Sequence, residues 1–508
     1  MNASADQAET VAFLTALAGA LPVETHISCV FLGPDTVWKL KKSVRLPFLD
    51  FSTIEARDHF CRRELELNAT AAPGLYGDVV PVVRAADGAL TLGGEGEPVD
   101  WIVRMARVPA ADFLDVRAAK APLNPEMLDA IADAVALWHL SLPPVACVRP
   151  DLAATAKGNA TAARAAGLNV EPVNAWLAAM HADLAATAAW QDARAAAGFV
   201  RRCHGDLHLG NLCLWRGRPV LFDALEFDES MATIDLGYDL AFLLMDLEQR
   251  QNRASANRVL NRYVARTGDV CLVGGLPMFL SMRAIIRAHV EERVGRHTAA
   301  AAYLGAAARY LTRRVPVQAA TGCPVSGSLG AVVVAIGGLP GTGKSTLARA
   351  VAPLLGRAPG ALVLRSDEIR KRQHGVPPEQ RLPPSAYRSA KSAAVFDTLT
   401  RDVETAAAMG QAVIADATFL NLAHRDMVEA AAARAGLPFV GLWLMAPKDE
   451  LERRVAARTG DASDATVDVL RGAAKADPGP RAWHAVDTSE SSSALTLAKT
   501  ILAPHIAI

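Results

Sequence analysis

Two short stretches of this sequence carry residue types at spacings that suit phosphoryl transfer. The first is Cys203-His204-Gly205-Asp206-Leu207-His208-Leu209-Gly210-Asn211. Asp206 can accept a proton from an acceptor hydroxyl, and Asn211, five residues on, can hold Mg²⁺. The strand-like run 219–222 then delivers Asp223, a carboxylate able to bridge a metal to nucleotide phosphates. A γ-phosphoryl group is already activated, so a protein that transfers it mainly positions the hydroxyl and neutralises charge. The second stretch is Gly338-Leu339-Pro340-Gly341-Thr342-Gly343-Lys344-Ser345-Thr346, which matches Gly-x4-Gly-Lys-Ser in full. A buried-strand run over 332–336 leads in, and a helix over 347–355 is expected to lead out. In such a loop, backbone amides and the helix N-terminus cradle phosphate oxygens. Lys344 reaches the β- and γ-phosphates and Ser345 takes Mg²⁺. Gly338, Gly341, Thr342, Gly343 and Thr346 complete the expected nucleotide-binding set.

At 508 residues the chain exceeds one ordinary core, and two or three domains are expected. Lys and Arg number 53, as do Asp and Glu, so the formal net charge is zero. That balance counts against a nucleic-acid-binding surface. A hydrophobic fraction of 51% suits a packed globular protein. The seven cysteines are scattered and form no Cys-x-x-Cys pair. Reduced thiols in a cytoplasm are expected, rather than a disulfide frame or a zinc site. The first residues have no basic region, and no apolar run approaches ~18 residues, so neither a leader nor a membrane span is expected. The small-residue stretch 319–330, rich in Gly, Pro and Ser, reads as a linker between domains 1–318 and 331–508.

Elements must hold these residues in place. Strands are expected over 27–31 and 36–41, joined by the turn Gly33-Pro34-Asp35. The second strand puts Lys39 and Lys41 on one face by its two-residue period. A helix follows over 60–68, then strands over 79–84 and 99–108. Apolar spacing predicts a helix over 125–140 with a buried face that includes His139. The alanine-rich region 152–197 reads as helical. Asp235 or Asp239 caps the helix after the first motif. Glu226 is left between metal support and acceptor contact. Arg283 and Arg287 share a helix face and are candidates to meet an anionic acceptor. Beyond the P-loop, strand 362–364 ends in Arg365-Ser366-Asp367, strand 413–415 ends in Asp416, and helix 450–458 sets Arg454 and Arg458 four apart. Tyr387, Arg388 and Lys391 are placed on a helix that walls the acceptor side.

His-Gly-Asp-Leu-His-x-Gly-Asn followed by a strand ending in Asp resembles the aminoglycoside phosphotransferase and choline kinase branch of the kinase-like fold. The resemblance implies a bilobal α+β domain that uses ATP and Mg²⁺. Asp206 would be its base, with Asn211 and Asp223 as metal ligands. It also implies a phosphate-gripping lysine, Lys39 or Lys41, paired with a helix glutamate, Glu64 in preference to Glu66. The helix Asp would brace the catalytic loop. No Gly-x-Gly-x-x-Gly loop precedes the lysine strand, a departure that favours this branch over protein kinases.

Residues 331–490 resemble small P-loop kinases of the gluconate kinase, polynucleotide 5′-kinase and zeta-toxin type, with a parallel-sheet α/β fold. That resemblance implies that Asp367 activates the acceptor hydroxyl and Arg370 contacts an acceptor phosphate or the transition state. Asp416 would support the metal, and Arg454 and Arg458 would be lid arginines. The expected function is a cytoplasmic bifunctional kinase acting on a small hydroxylated molecule. A nucleic-acid or nucleotide end kinase, and a nucleotide-gated regulator with one catalytic domain, are the alternatives. ATP against GTP, and the oligomeric state, stay open.

Overall fold

The computed structural model describes residues 7–46, 49–145, 149–311, 315–318, 324–327, 330–458, 460–476, 479 and 482–506. Packing divides the chain into two compact units, Met1–Pro150 with Arg194–Leu243 and Asp151–Ala193 with Leu244–Ile508. Of the linker 319–330, residues 319–323, 328 and 329 lie outside the described residues. Within it, the backbone of Pro324–Gly327 pairs antiparallel with Val315–Gln318. Linker and packing are different divisions of the chain: one separates the two motif-bearing stretches, the other groups what is buried together.

In the first unit, six antiparallel strands form one sheet: β1 (Val23–Glu24), β2 (Ser28–Leu32), β3 (Thr36–Lys41), β4 (Tyr76–Arg84), β5 (Leu90–Leu92) and β6 (Glu97–Ala106). Their order is β1-β2-β3-β6-β4-β5. One face buries Phe31, Leu40, Val82 and Ile102 with Leu14 of helix α1 (Ala8–Ala18). Helix α2 (Ile54–Ala69) begins where Thr53 Oγ1 accepts from Ala56 N at 3.1 Å. Its Cys61 packs with Tyr76 and Val103 on the other face. Helix α3 (Pro125–Ser141) is capped by Asn124 and buries Ile131, Val135 and His139 as expected, with Leu128 beside them; Leu137 and Leu140, which the apolar spacing assigns to the buried face, are exposed. Two helices of the second unit follow, α4 (Leu152–Ala166) and α5 (Val170–Ala186). The chain then returns through β7 (Val200–Arg202), the hairpin of β8 (Leu212–Trp215) and β9 (Arg218–Leu221), and β10 (Thr233–Asp235). β7 pairs with β10, so the 203–211 loop runs between two strand pairs. Helix α6 (Leu236–Arg250) starts directly after β10.

The second unit contains α7 (Arg253–Thr267), α8 (Leu276–Arg293) and α9 (His297–Leu311); α8 and α9 bundle with α4 and α5, whereas α7 packs beside residues 361–363. Trp176 Nε1 donates to Ser281 Oγ at 2.8 Å, and Ser281 Oγ donates to Ala307 O at 2.7 Å. Here Arg283 is buried in the helix and Arg287 pairs with Glu291. A five-stranded parallel sheet follows, made of β11 (Val333–Gly338), β12 (Leu362–Arg365), β13 (Val413–Asp416), β14 (Phe439–Met445) and β15 (His484–Asp487). The order is β12-β13-β11-β14-β15. Val334, Ile336, Ile414, Leu442 and Val486 form its core, in strands apolar on both faces as buried parallel strands are. The connecting helices are α10 (Lys344–Val351), α11 (Ser366–Gln373), α12 (Ser389–Ala408), α13 (Leu422–Arg434) and α14 (Lys448–Ala456), with α15 (Ser491–Leu502) after the last strand. α10 starts at Lys344, earlier than expected, because Gly343 takes the left-handed N-cap conformation. Tyr387 ends a 3₁₀ turn (Pro384–Tyr387) ahead of α12 instead of lying on that helix.

Two glycines test this packing in opposite directions. A Cβ at Gly441 of β14 would sit 2.3 Å from the Trp483 ring, whereas one at Gly158 of α4 would meet nothing within 4 Å. Gly441→Ala is expected to cost about 1–3 kcal/mol by overpacking. Gly158→Ala is expected to stabilise by about 0.5–1 kcal/mol through the unfolded chain. Thermal unfolding of both variants reads the two signs; a stable Gly441→Ala protein would contradict this arrangement of β14 and Trp483.

Candidate active sites

In the first unit, β3 sends both lysines to one glutamate. Lys39 Nζ lies 2.7 Å from Glu64 Oε1, and Lys41 Nζ lies 2.7 Å from Glu64 Oε2. Lys39 also pairs with Asp223, and Lys41 with Glu226. Burial alone would raise the Glu64 carboxyl, but Lys39 and Lys41 together hold it down at about 2. Burial likewise opposes the charge on the lysines. Asp223 and Glu64 overcome it at Lys39, Glu226 and Glu64 overcome it at Lys41, and both ammonium groups end above the ordinary lysine range. Glu226 is therefore committed to Lys41, and Glu66 turns outward to Arg63 at 2.8 Å.

Asp223 sits in the left-handed region, at φ 61, a conformation non-glycine residues keep only when their surroundings enforce it. Two bonds do so. Asp223 N donates to Tyr76 Oη at 3.0 Å, and Ala224 N donates to Asn68 Oδ1 at 2.9 Å. Neither Tyr76 nor Asn68 was expected from sequence. Asn68 stands one helical turn beyond Glu64, and that spacing is the one signal that could have found it.

The 203–211 loop is held by Asp239, which is fully buried. Its carboxylate accepts from Gly205 N at 2.9 Å and His204 N at 3.1 Å, and lies 3.2 Å from His139 Nε2. Asp235 accepts from Gly237 N at 2.7 Å and from Arg194 Nε at 2.6 Å. The two jobs left to either aspartate are thus divided: Asp235 caps and Asp239 braces. His204 lies 2.9 Å from Phe222 O and accepts from Asp206 N at 3.3 Å through Nδ1. A carbonyl only accepts and an amide only donates, so Nε2 carries the proton. Burial lowers the pKa of this imidazole against the pull of Asp239 and Asp206. Asn211 Nδ2 donates to Asp206 Oδ2 at 3.0 Å and to Asp206 O at 2.9 Å. His208 Nε2 lies 3.4 Å from the same carboxylate. Asn211 O accepts from Phe222 N at 3.1 Å, which sets the Asp206–Asn211 pair beside the turn at Asp223, itself paired with Lys39 and, through it, Glu64.

In the second unit, the carboxyl ends of β11, β12 and β13 meet at a cavity of about 1160 Å³, the place where ligands gather in open α/β sheets. Gly338 and Gly341 have positive φ, and a Cβ on either would press on a backbone carbonyl, Leu444 O at 2.5 Å or Leu451 O at 2.8 Å. Thr342 Oγ1 donates to Leu339 O at 2.8 Å and closes the loop. Lys344 Nζ donates to Gly338 O and Leu339 O at 3.0 Å. Ser345 Oγ donates to Asp416 Oδ2 at 2.5 Å. Thr346 lies on the cavity wall. Buried Arg365 reaches Glu368 at 2.8 Å, Asp461 at 2.8 Å and Asp416 at 3.2 Å.

Asp367 lines the same cavity. Burial, with the Asp416 charge, lifts its carboxyl above the ordinary range against Arg365, a Ser463 hydrogen bond and Lys344. Helix α11 has Arg365 at its N-cap and no side-chain capping bond, so Asp367 does not cap it. Arg370 is buried, donates to Ala386 O at 2.8 Å and stands 4.6 Å over the Tyr387 ring. Its Nε has no partner among the described residues. Arg454 and Arg458 line the cavity, tied to Glu450 at 2.6 Å and Asp461 at 3.8 Å respectively. Of the residues expected at this site, Arg388 and Lys391 do not line the cavity; the others line it or lie in the loop beneath it.

Fold and sites together define a chain of two kinase-type domains. Residues 48–271 match the model of the phosphotransferase enzyme family, and residues 333–476 match the model of an AAA domain. The protein is accordingly a kinase-type enzyme with a phosphotransferase-family domain followed by a P-loop kinase domain. Uncharacterized proteins of Mycobacterium tuberculosis and Mycobacterium bovis are 29% identical over 486 residues, covering 92% of this chain and 92% of theirs. Among solved structures, a gluconokinase from Sinorhizobium meliloti is 20% identical with a TM-score of 0.26, over 34% of this chain and 93% of its own. The GDP complex of a wild-type aminoglycoside 2′-phosphotransferase-IIIa is 14% identical with a TM-score of 0.35, over 57% of this chain and 90% of its own. Among the described residues no helix is long and apolar enough to cross a membrane. No disulfide joins any two of the five described cysteines; Cys147 and Cys323 lie outside the described residues.

Glu64→Gln strips two buried ammonium groups of a shared counter-charge and is expected to cost about 3–5 kcal/mol at neutral pH. The Glu64 carboxyl falls from 4.5 to about 2 in the fold. Its stabilisation is therefore present above the upper value and lost as pH falls toward the lower one. Unfolding of wild type and variant across that window should show the gap between them closing. A gap independent of pH would contradict the charged bridge.

Proposed function

We propose that the protein is a cytoplasmic ATP-dependent kinase with two transfer sites, one in residues 1–318 and one in 331–508. Each passes a γ-phosphoryl group to a hydroxyl of a small molecule. One observation carries this reading: each site gathers a cation for phosphates, an oxygen pair for a divalent ion and a carboxylate base. The oxygen pairs are Asn211 with Asp223 and Ser345 with Asp416, hard donors of the kind Mg²⁺ selects. Mg²⁺, when bound, offsets phosphate charge.

In the first site Lys39 is the phosphate-gripping lysine, since Lys41 is closed off by Glu226 while Lys39 faces Asp223. The acceptor oxygen bonds to the γ-phosphorus, the bond to the ADP oxygen breaks, and the hydroxyl proton passes to Asp206. Asn211 and His208 aim that carboxylate. In the second site Lys344 exchanges two loop carbonyls for phosphate oxygens, and Asp367 takes the proton. Its raised pKa suits a base. Arg454 and Arg458 face the charge in transit. Arg370, a buried guanidinium with an unpartnered Nε, favours an acceptor that carries an anionic group of its own.

Asp206→Asn is expected to lower transfer at the first site by about 10²–10⁴-fold while ATP still binds. A screen of small hydroxylated metabolites with γ-labelled ATP, run on wild type and variant, measures it. Label transfer at the wild-type rate would remove Asp206 from the mechanism.

At the second site, Lys344→Ala and Asp367→Asn should fail differently. Lys344 meets the donor in ground and transition states alike, so its loss weakens ATP binding and turnover together. Asp367→Asn should spare ATP affinity and remove turnover. A carboxyl raised in the fold contributes stability that is fully present below its unfolded pKa and is lost as pH rises through the folded value. Asp367→Asn should therefore not lower Tm. Calorimetric ATP titration beside thermal unfolding decides the matter. Unchanged turnover with a lowered Tm would make Asp367 a structural residue.

A further inference from the structure

The parallel sheet of the second unit ends on β12, and an edge strand leaves a row of backbone groups without a strand partner. Here that row is met by side chains. Leu362 N donates to Ala412 O at 2.9 Å, toward β13. Ala361 O and Val363 N point the other way, and both meet Asn261 of α7. Asn261 Oδ1 accepts from Val363 N at 2.6 Å, and Asn261 Nδ2 donates to Ala361 O at 3.2 Å. Asn257, one turn earlier, donates to the same carbonyl at 3.0 Å. A primary amide carries the donor and acceptor of a peptide group, so Asn261 stands where a sixth strand would pair. The same helix also holds the next element: Arg372 of α11 donates to Ala265 O at 3.3 Å, and Arg262 pairs with Glu379 at 2.7 Å.

Val363 precedes Arg365 by two residues and Asp367 by four. Arg365 holds Asp416, and Asp416 holds Ser345. We propose that Asn261 is a positioning residue of the P-loop site, fixing β12 in place and through it Arg365 and Asp367. The inference rests on the phosphotransfer reading of that site. Helix α7 lies within the 48–271 span that matches the phosphotransferase family. A helix of the first family's span therefore completes the sheet of the second.

The test uses the full-length chain. MgATP hydrolysis with water as acceptor, less the rate of Lys344→Ala, reads the P-loop site. Asn261→Leu keeps the side-chain volume and removes both bonds. It is expected to lower kcat by about 10²-fold, as a small misplacement of the base does, with KM for MgATP little changed. Asn261→Asp keeps the acceptor for Val363 N–H and should recover part of that loss. Amide exchange gives a second readout. Exchange at Val363 should quicken in Asn261→Leu, while Val334 in β11 stays protected. Unchanged Val363 exchange overturns the proposal, as does loss of protection at both amides with kcat and KM worsening together, the mark of plain unfolding. If wild type shows no Lys344-dependent hydrolysis, the phosphotransfer reading has failed. The Asn261 clamp then stands or falls on Val363 exchange alone.

Discussion

Glu64 has no exposed side-chain surface and is held between two ammonium groups, and this buried bridge sets the geometry around it. A carboxylate out of water must be paired and hydrogen-bonded. Here the pairing reaches from α2 to β3 and on through Lys39 to Asp223. Replacing such a cluster with apolar side chains of similar volume is often neutral or stabilising, so stability alone does not explain it. What apolar residues could not supply is a desolvated cation, which on the proposed reading meets the phosphates. The second unit follows the same logic with the signs exchanged. Arg365 is buried among Glu368, Asp416 and Asp461, and the carboxylate it orients holds Ser345.

On the proposed reading, the cation meant for phosphate is kept on temporary partners in both sites. Lys39 rests on Glu64 and Asp223, and Lys344 rests on two carbonyls of its own loop. A lysine held this way loses little further freedom when ligand replaces the partner, which lowers the ordering cost of binding. The strained backbone at Asp223 belongs to the same design. Tyr76 and Asn68 hold the residue in a conformation it would otherwise avoid, and the carboxylate is thereby presented toward Lys39.

Much of this was legible in the sequence because it is local. The spacing of Asp206, Asn211 and Asp223, the full P-loop motif, and the strands that lead into Asp367 and Asp416 are all written within short windows. So is the shared face of Lys39 and Lys41, which follows from a period of two. What separates the two lysines is not local. Asp223 and Glu226 lie far along the chain from β3, and no periodicity ties a strand lysine to them. Tyr76, holding the Asp223 turn from β4, was hidden for the same reason. Asp235 and Asp239 read alike as cap or brace until the loop amides they face were placed. β14 went unread although its apolar run is plain, because no chemistry-bearing residue ends it.

Asn257 and Asn261 mark the limit of sequence reading most sharply. Inside a helix an asparagine is a mild fault, weaker than alanine as a helix former and inclined to bond elsewhere. Two of them one turn apart look like a solvated face. Their use appears only when the edge of β12 is laid beside them. An uncovered edge strand invites pairing with other chains, and natural proteins cover such edges with a helix or a loop. In this chain the cover is α7, whose amides reproduce the hydrogen bonds a neighbouring strand would make. A P-loop fragment cut at the linker would present Ala361 O and Val363 N to solvent, on the strand that carries Arg365 and leads into Asp367. The fusion of two kinase-type domains then has a physical reason besides shared expression: helices 253–267 and onward complete the surface on which the second site is built.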